Sequence, residues 1–245
     1  MLSDETNTST TSLIIGASSQ IGQALIAQLL AQAGDTRIVA VSRGVLELPE
    51  SVRCISCDYT PEAIARVGDE LSTWAGSFAR IVICNGILHN ENLKPEKRLE
   101  DLNLQSMAEV FRVNTFLPAL WLQALAPIVR SQQACPIAVL SARVGSISDN
   151  RAGGWYSYRA SKAALNMVIQ SAAIEFARRA KNVKLLAFHP GTVDTPLSAP
   201  FRANVPEGKL FTAEYVARQL LDLMTDLPLD GRASYLDYAG EPIAW

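Results

Sequence analysis

Apolar positions along this chain fall into short runs that alternate with helical repeats from one end to the other. Leu13-Ile14-Ile15 is a continuous apolar run and predicts a buried strand. From Ile21 to Ala33 apolar residues recur at helical spacing until Gly34 stops them. Further strands are predicted over Arg37–Val41, Val52–Cys57, Arg80–Cys84, Ile137–Leu140, Val183–Phe188 and Ser234–Leu236. The spacing predicts helices from Pro61, a proline suited to a first turn, to Trp74, and from Tyr156 to Ala180. Another runs from Thr212, an N-cap candidate, to Met224. A long helical region over Leu104–Ser131 carries an apolar face through Val110, Val113, Leu117 and Leu120, with a bend expected at Pro118.

Strands that are apolar on both faces and alternate strictly with helices predict a parallel sheet covered on each side. The fold class is therefore α/β, a doubly wound sheet of about seven strands in one domain over residues 12–245. Residues 1–11 are polar, rich in Ser, Thr and Asn, and read as a loose tail. The segment Val193–Phe211, with Pro196, Pro200 and Pro206, is too long for a plain connection and is expected to be a substrate loop.

Composition narrows the function by exclusion. Apolar residues make up 49% of the 245, so a core of ordinary size needs no staples. A net charge of −2 leaves no basic footprint for nucleic acid or an anionic membrane. No run reaches the ~18 apolar residues of a membrane span, and the start lacks the pattern of a signal peptide. A soluble cytoplasmic protein is the expectation. Cys54 and Cys57 form a C-x-x-C, but on a strand they face opposite ways, so buried, reduced thiols are expected for them and for Cys84 and Cys135. With only His89 and His189 available, no metal site is expected.

Two motifs carry chemistry. Gly16-Ala17-Ser18-Ser19-Gln20-Ile21-Gly22 joins the first strand to the first helix, where backbone N–H groups and the helix dipole can receive a pyrophosphate. Glycine matters there because a Cβ would obstruct the phosphate's approach. A tight strand-to-helix turn without a ligand is the plainer reading. About 140 residues later, Tyr158 and Lys162 lie four apart on one helix face. A nearby cation favours phenolate, so this tyrosine could donate and recover a proton near neutral pH.

Together these motifs make the chain resemble the short-chain dehydrogenase/reductase family, from about Ser12 to the C-terminus. The stretches Gly153–Asn166 and His189–Thr195 and the ending Tyr238–Trp245 are similar to its C-factor and Sniffer-like carbonyl reductase branch. The resemblance implies a Rossmann-like fold and an NADP-dependent oxidoreductase that moves hydride between the cofactor and a carbonyl or alcohol. Tyr158 would be the general acid/base. Lys162 would lower its pKa and hold the nicotinamide ribose. Asn114, in Phe111-Arg112-Val113-Asn114-Thr115, would hold a water in the proton path. The family commonly has Ser-Ser after the fifth strand, with the second serine against the substrate oxygen; this chain has Ser141-Ala142. Ser141, moved by a local bulge, is the expected serine, with Ser146 next and no serine at all a third option.

For the cofactor, the resemblance assigns Gly16, Ser18, Ser19, Gln20, Ile21 and Gly22 to the pyrophosphate. Gln20 departs from the family's middle glycine and puts affinity in question. Where an acidic residue would bond the 2′-hydroxyl of NAD, this chain has Ser42 and Arg43. Arg43 could meet a 2′-phosphate, which favours NADP(H) over NAD(H). Asp58 matches the contact to the adenine amino group, or else caps the next turn. Asn85 and Gly86 match the ribose contact only in part. In Pro190-Gly191-Thr192-Val193-Asp194-Thr195, the Val193 backbone and the Thr195 hydroxyl would hold the nicotinamide carboxamide. His189 is expected to pack, and His89 is given no role.

Leu197, Phe201 and Phe211 of the long loop suggest an apolar carbonyl substrate. The long helices suggest a homodimer or homotetramer by family analogy. A dinucleotide-binding regulatory or signalling protein with little turnover is the alternative, kept open by Gln20 and Ala142. A nucleotide-dependent methyltransferase is a third reading that leaves Tyr158 and Lys162 unexplained.

Overall fold

The computed structural model describes residues 10–32 and 36–245. The helix stop expected at Gly34 lies outside these residues, as does the expected tail apart from Thr10 and Thr11. Those two are strand. β1 spans Thr10–Ile15, starting earlier than its apolar run, because Thr11 and Ser12 are fully buried and the Thr11 hydroxyl bonds the Ser77 hydroxyl at 2.8 Å.

After β1 come α1 (Gln20–Ala31), β2 (Thr36–Ser42), β3 (Val52–Ser56), α2 (Pro61–Leu71) and β4 (Phe78–Ile83). The second half holds α3 (Leu104–Phe111), α4 (Leu117–Leu125), β5 (Cys135–Leu140), α5 (Tyr156–Arg179) and β6 (Val183–His189). Two short strands, β7 (Thr192–Val193) and β8 (Leu210–Phe211), precede α6 (Ala213–Asp226) and β9 (Ser234–Asp237). Seven strands form one sheet in the order β3-β2-β1-β4-β5-β6-β9, and every pairing in it is parallel.

Strand alternation divides the core. Leu13, Ile15, Val39, Val41, Ile81, Ile83, Val139 and Leu185 face α2, α4 and α5. Ile14, Ala40, Val82, Ala138, Leu186 and Phe188 point the other way, onto α1 and α6. The edge strand β3 departs from the expected buried pattern: Val52 and Ile55 are buried while Arg53, Cys54 and Ser56 are exposed, and Cys57, Cys84 and Cys135 are buried; all four thiols are free.

Helix starts follow local chemistry. Ser19, Thr60, Asn103 and Thr212 each accept a bond from the backbone N–H three residues on. The helix expected over Leu104–Ser131 is instead two helices joined by a π-turn at Arg112–Phe116, and it ends at Leu125. Pro118 sits in the first turn of α4, where its missing N–H does little harm, so the widened turn lies just ahead of the proline.

β1 and β4 are neighbours, yet the chain leaves β1 toward β2 and returns to β4 from β3. The carboxyl ends of β1 and β4 therefore flank a topological switch point, where α/β sheets open a crevice. The long loop is not structureless. Its base is closed by the β7–β8 pair, and Ala199–Asn204 forms a 3₁₀ turn within it.

Candidate active site

At the switch point, Gly16 leaves β1 with φ +77°, and a Cβ there would lie 3.1 Å from the Asn85 nitrogen at the end of β4. Gly22 is equally constrained: its Cβ would fall 2.9 Å from the Gly16 carbonyl oxygen. These two glycines let the turn, the start of α1 and the end of β4 come together. Ser19 caps α1 through the Gly22 N–H at 3.0 Å. Gln20 is exposed as the first residue of α1, and its side chain lines a cavity of about 770 Å³ between α1, Leu46–Leu48 and the start of α6.

Asn85 is buried, and its Oδ1 has no hydrogen-bond partner. A buried amide oxygen without a partner is costly and marks a place for a ligand's donor. Orphaned Asn85, the close-packed glycines and the open start of α1 fit the adenosine and pyrophosphate parts of a dinucleotide. Tyr59, which the sequence reading passed over, stands in the left-handed region at φ 66°. Its phenol is buried against Trp121, its hydroxyl donates to the Val41 carbonyl at 3.4 Å, and burial raises it to about 12.

Three of the groups expected to meet the cofactor already have partners. The Ser42 hydroxyl is buried and donates to the Gly44 carbonyl at 2.5 Å, so it faces its own turn. Asp58 accepts from the Thr60 N–H at 3.0 Å and the Thr60 hydroxyl at 2.8 Å, the turn-capping arrangement. The Val193 carbonyl accepts from the Ser198 and Thr195 hydroxyls. Arg43 is exposed at the mouth, and its charge reaches Tyr59 and Glu109. Gly191, at φ +72°, could not carry a Cβ, which would strike the Phe211 ring at 2.8 Å.

On the other side of the crevice, α5 brings Tyr158 and Lys162 to the ends of β4 and β5. Lys162 is buried and its Nζ donates to the Leu140 carbonyl at 2.7 Å. The same nitrogen is 6.0 Å from the Tyr158 ring centre and 3.8 Å from where a Gly86 Cβ would stand. Burial lowers the Lys162 pKa to about 7. The Tyr158 phenol is pushed up, first by burial and then by the nearby Tyr235 phenol. In the cofactor-free chain this direction is opposite to the one expected from a nearby amine, whose Nζ is engaged by the Leu140 carbonyl.

Asn114 lies in the π-turn, fully buried. Its Oδ1 accepts from the Ile87 N–H at 2.7 Å, and its Nδ2 donates to the Ile87 carbonyl at 2.9 Å and the Ser161 hydroxyl at 3.1 Å. It clamps the segment after β4 onto α5. Gly145 allows the β5–α5 turn to rest on α5; a Cβ there would be 2.8 Å from the Lys162 Cβ.

The serine expectation is corrected. No bulge follows β5: the Ser141 N–H continues the ladder to the Phe188 carbonyl at 2.8 Å. Its hydroxyl is buried and donates to the Asn166 Oδ1 at 2.6 Å. Ser146 is also buried, and its hydroxyl accepts from the Asp149 N–H at 3.2 Å. Ala142 holds the register position itself, and its carbonyl accepts from the buried Tyr235 hydroxyl at 2.6 Å.

Other residues around the site escaped the sequence reading. Glu96 is buried, and its carboxylate accepts from the Ser157 N–H at 3.2 Å and from the Ser157 hydroxyl, capping α5 from a distant loop. No periodic signal marks a cap supplied from sixty residues away. His89 and Phe201 meet at the loop tip, whereas Phe211 is held away from it by Tyr215 and Tyr238. Burial and Arg143 lower the His189 pKa to about 4, and its Nδ1 is buried without a hydrogen-bond partner. No cluster of metal-ligating residues and no helix long and apolar enough to cross a membrane occurs among the described residues.

A family model described as short chain dehydrogenase matches residues 10–206. The C-signal protein of Myxococcus xanthus is 31% identical over 147 residues, covering 60% of this chain and 83% of that protein. Among solved structures, the carbonyl reductase Sniffer of D. melanogaster superposes with a TM-score of 0.82 at 19% identity, over 97% of this chain and 100% of that one. The NADPH-bound carbonyl reductase from chicken fatty liver gives a TM-score of 0.78 at 22% identity, over 97% and 99% of the two chains.

Proposed function

Because the chain belongs to the short-chain dehydrogenase family, we propose that it is an NADP-dependent carbonyl reductase with Tyr158 as its proton donor. The observation that carries this reading is the meeting of Tyr158 and Lys162 at the carboxyl ends of β4 and β5, beside the glycine turn.

When bound, the reduced dinucleotide supplies the hydride. Gly16, Ser18, Ser19, Ile21 and Gly22 would receive its pyrophosphate through backbone N–H groups, with Gln20 exposed beside them. Asn85 and Gly86 would meet the adenosine side, Asp58 the adenine, and Arg43 the 2′-phosphate. Pro190, Gly191, Val193 and Thr195 would border the nicotinamide. Tyr158 Oη passes its proton to the carbonyl oxygen as that oxygen gains negative charge. The protonated phenol is the form that donates to the carbonyl oxygen. Lys162, fixed on the Leu140 carbonyl, places a cation beside the phenolate left behind. Asn114 would hold a water in the proton path while it clamps Ile87 onto α5 beside the pair. Ser141 buttresses Asn166 on the α5 face below Lys162 and has no direct part.

Exposed Phe116, Met167 and Ile174 on and beside α4 and α5 support pairing of copies there, as a dimer or tetramer. The test of the reading is NADPH oxidation by the purified chain with a panel of aldehydes and ketones. Turnover that depends on added carbonyl supports it. Tight dinucleotide binding with no turnover across the panel would support the regulatory protein instead.

A further inference from the structure

We propose that Trp155, Phe201 and His89 form a wall that selects substrates carrying an aromatic ring next to the carbonyl. This rests on carbonyl reduction at Tyr158 and adds the chemical class of the group flanking the reacting carbon.

The backbone just before α5 is anomalous. Trp155 precedes α5 with φ 52° and ψ 43°, in the left-handed region, and its side chain caps nothing. Gly153 and Gly154 just before it also have positive φ, at 63° and 62°, where glycine is at ease. Asparagine or a third glycine would suit position 155 best if only the chain path mattered. A bulky residue held in a strained conformation points to work done by its side chain.

The indole lies between the reacting phenol and the long loop. Its ring centre is 6.1 Å from that of Tyr158, edge to face, and 4.8 Å from that of Phe201. Phe201 is carried by the 3₁₀ turn of the loop and meets the His89 ring at 5.8 Å. His89 Nε2 lies 3.2 Å from the Pro196 carbonyl and 3.1 Å from the Leu197 carbonyl. Both partners accept, so Nε2 carries the proton and His89 ties the loop tip down. A row of four rings thus runs from Tyr158 to the loop. On this proposal a carbonyl whose oxygen meets Tyr158 lays one flanking group along this row, where ring edges and faces favour another ring over an alkyl group of equal size.

Acetophenone and methyl cyclohexyl ketone separate shape from aromaticity. Wild type should favour acetophenone in kcat/KM by roughly tenfold or more, mostly through KM. Trp155→Asn, which tolerates the left-handed backbone, and Phe201→Leu should each shrink the preference to about twofold. Calorimetry of acetophenone with the protein loaded with oxidised NADP, which cannot turn it over, should show the same order of affinities. Equal handling of the two ketones by wild type, or a preference unchanged in both variants, overturns the wall while leaving carbonyl reduction standing. Binding that favours acetophenone and depends on Trp155, with no reduction of either ketone or of any carbonyl in the panel, keeps the wall and overturns the reductase reading.

Discussion

On the β1–β4 side of the crevice the chain works through its backbone, whereas on the β5–α5 side it works through buried side chains. Gly16 and Gly22 act by what they lack, and side chains nearby such as Gln20 and Arg43 are exposed. Across the crevice, Lys162, Asn114, Ser141, Asn166 and Tyr235 are nearly inaccessible and bonded to carbonyls or to one another. The difference explains how each side accommodates a departure from the family pattern. At position 20 a side chain can point into a neighbouring cavity without disturbing the turn. At position 142 an alanine removes a hydroxyl from a packed place, and the adjacent Ser141 hydroxyl is already committed to Asn166.

Changes on the two sides should therefore fail in different ways. Arg43→Ala should cut the preference for NADPH over NADH by roughly ten- to a hundredfold, the value of a charged hydrogen bond, without altering melting temperature. Dissociation constants for both cofactors check this, and an unchanged ratio removes Arg43 from the phosphate site. Gly16→Ala should weaken both cofactors about tenfold and cost about 1–2 kcal/mol of stability, since alanine dislikes positive φ and its Cβ crowds Asn85. Denaturant unfolding beside cofactor titration measures both.

Ser141→Ala should act in the opposite sense. It leaves the buried Asn166 Oδ1 without its donor and should cost about 1–3 kcal/mol of stability, with kcat reduced less than about tenfold. A loss of about 10²–10³ in kcat at unchanged stability would restore Ser141 as a donor to the substrate oxygen.

A pH-dependent effect concerns Lys162 in the cofactor-free protein. Its pKa is held at about 7 in the folded state, so between about pH 7 and pH 10 the unfolded chain binds the extra proton. Wild type therefore gains stability as pH rises through that window. Lys162→Met abolishes the gain, so its melting temperature relative to wild type should be highest below pH 7 and fall toward pH 10. A difference that does not change with pH contradicts an amine buried without a countercharge.

The sheet, its two helical layers and the Tyr158–Lys162 pair were legible because each follows a period or a fixed spacing. Leu13 and Ile14 had to face opposite layers, and residues four apart on α5 had to share a face. What stayed hidden depends on contacts between distant segments. Glu96 caps α5 from another loop, Tyr235 reaches the Ala142 carbonyl from the last strand, and His89 pins the long loop. Ser141 misled for a related reason. Motif register identifies a position, but hydrogen bonding by its neighbours decides whether the hydroxyl is free.

In the proposed function Tyr158 delivers the proton while other residues hold the dinucleotide, and a single-turnover experiment separates the two. NADPH-loaded wild type and Tyr158→Phe are each mixed with one carbonyl that wild type reduces, and cofactor oxidation is followed in time. The phenylalanine variant should bind NADPH within about threefold of wild type yet oxidise it more slowly by roughly 10²–10⁴-fold. Oxidation at the wild-type rate in that variant would contradict the claim.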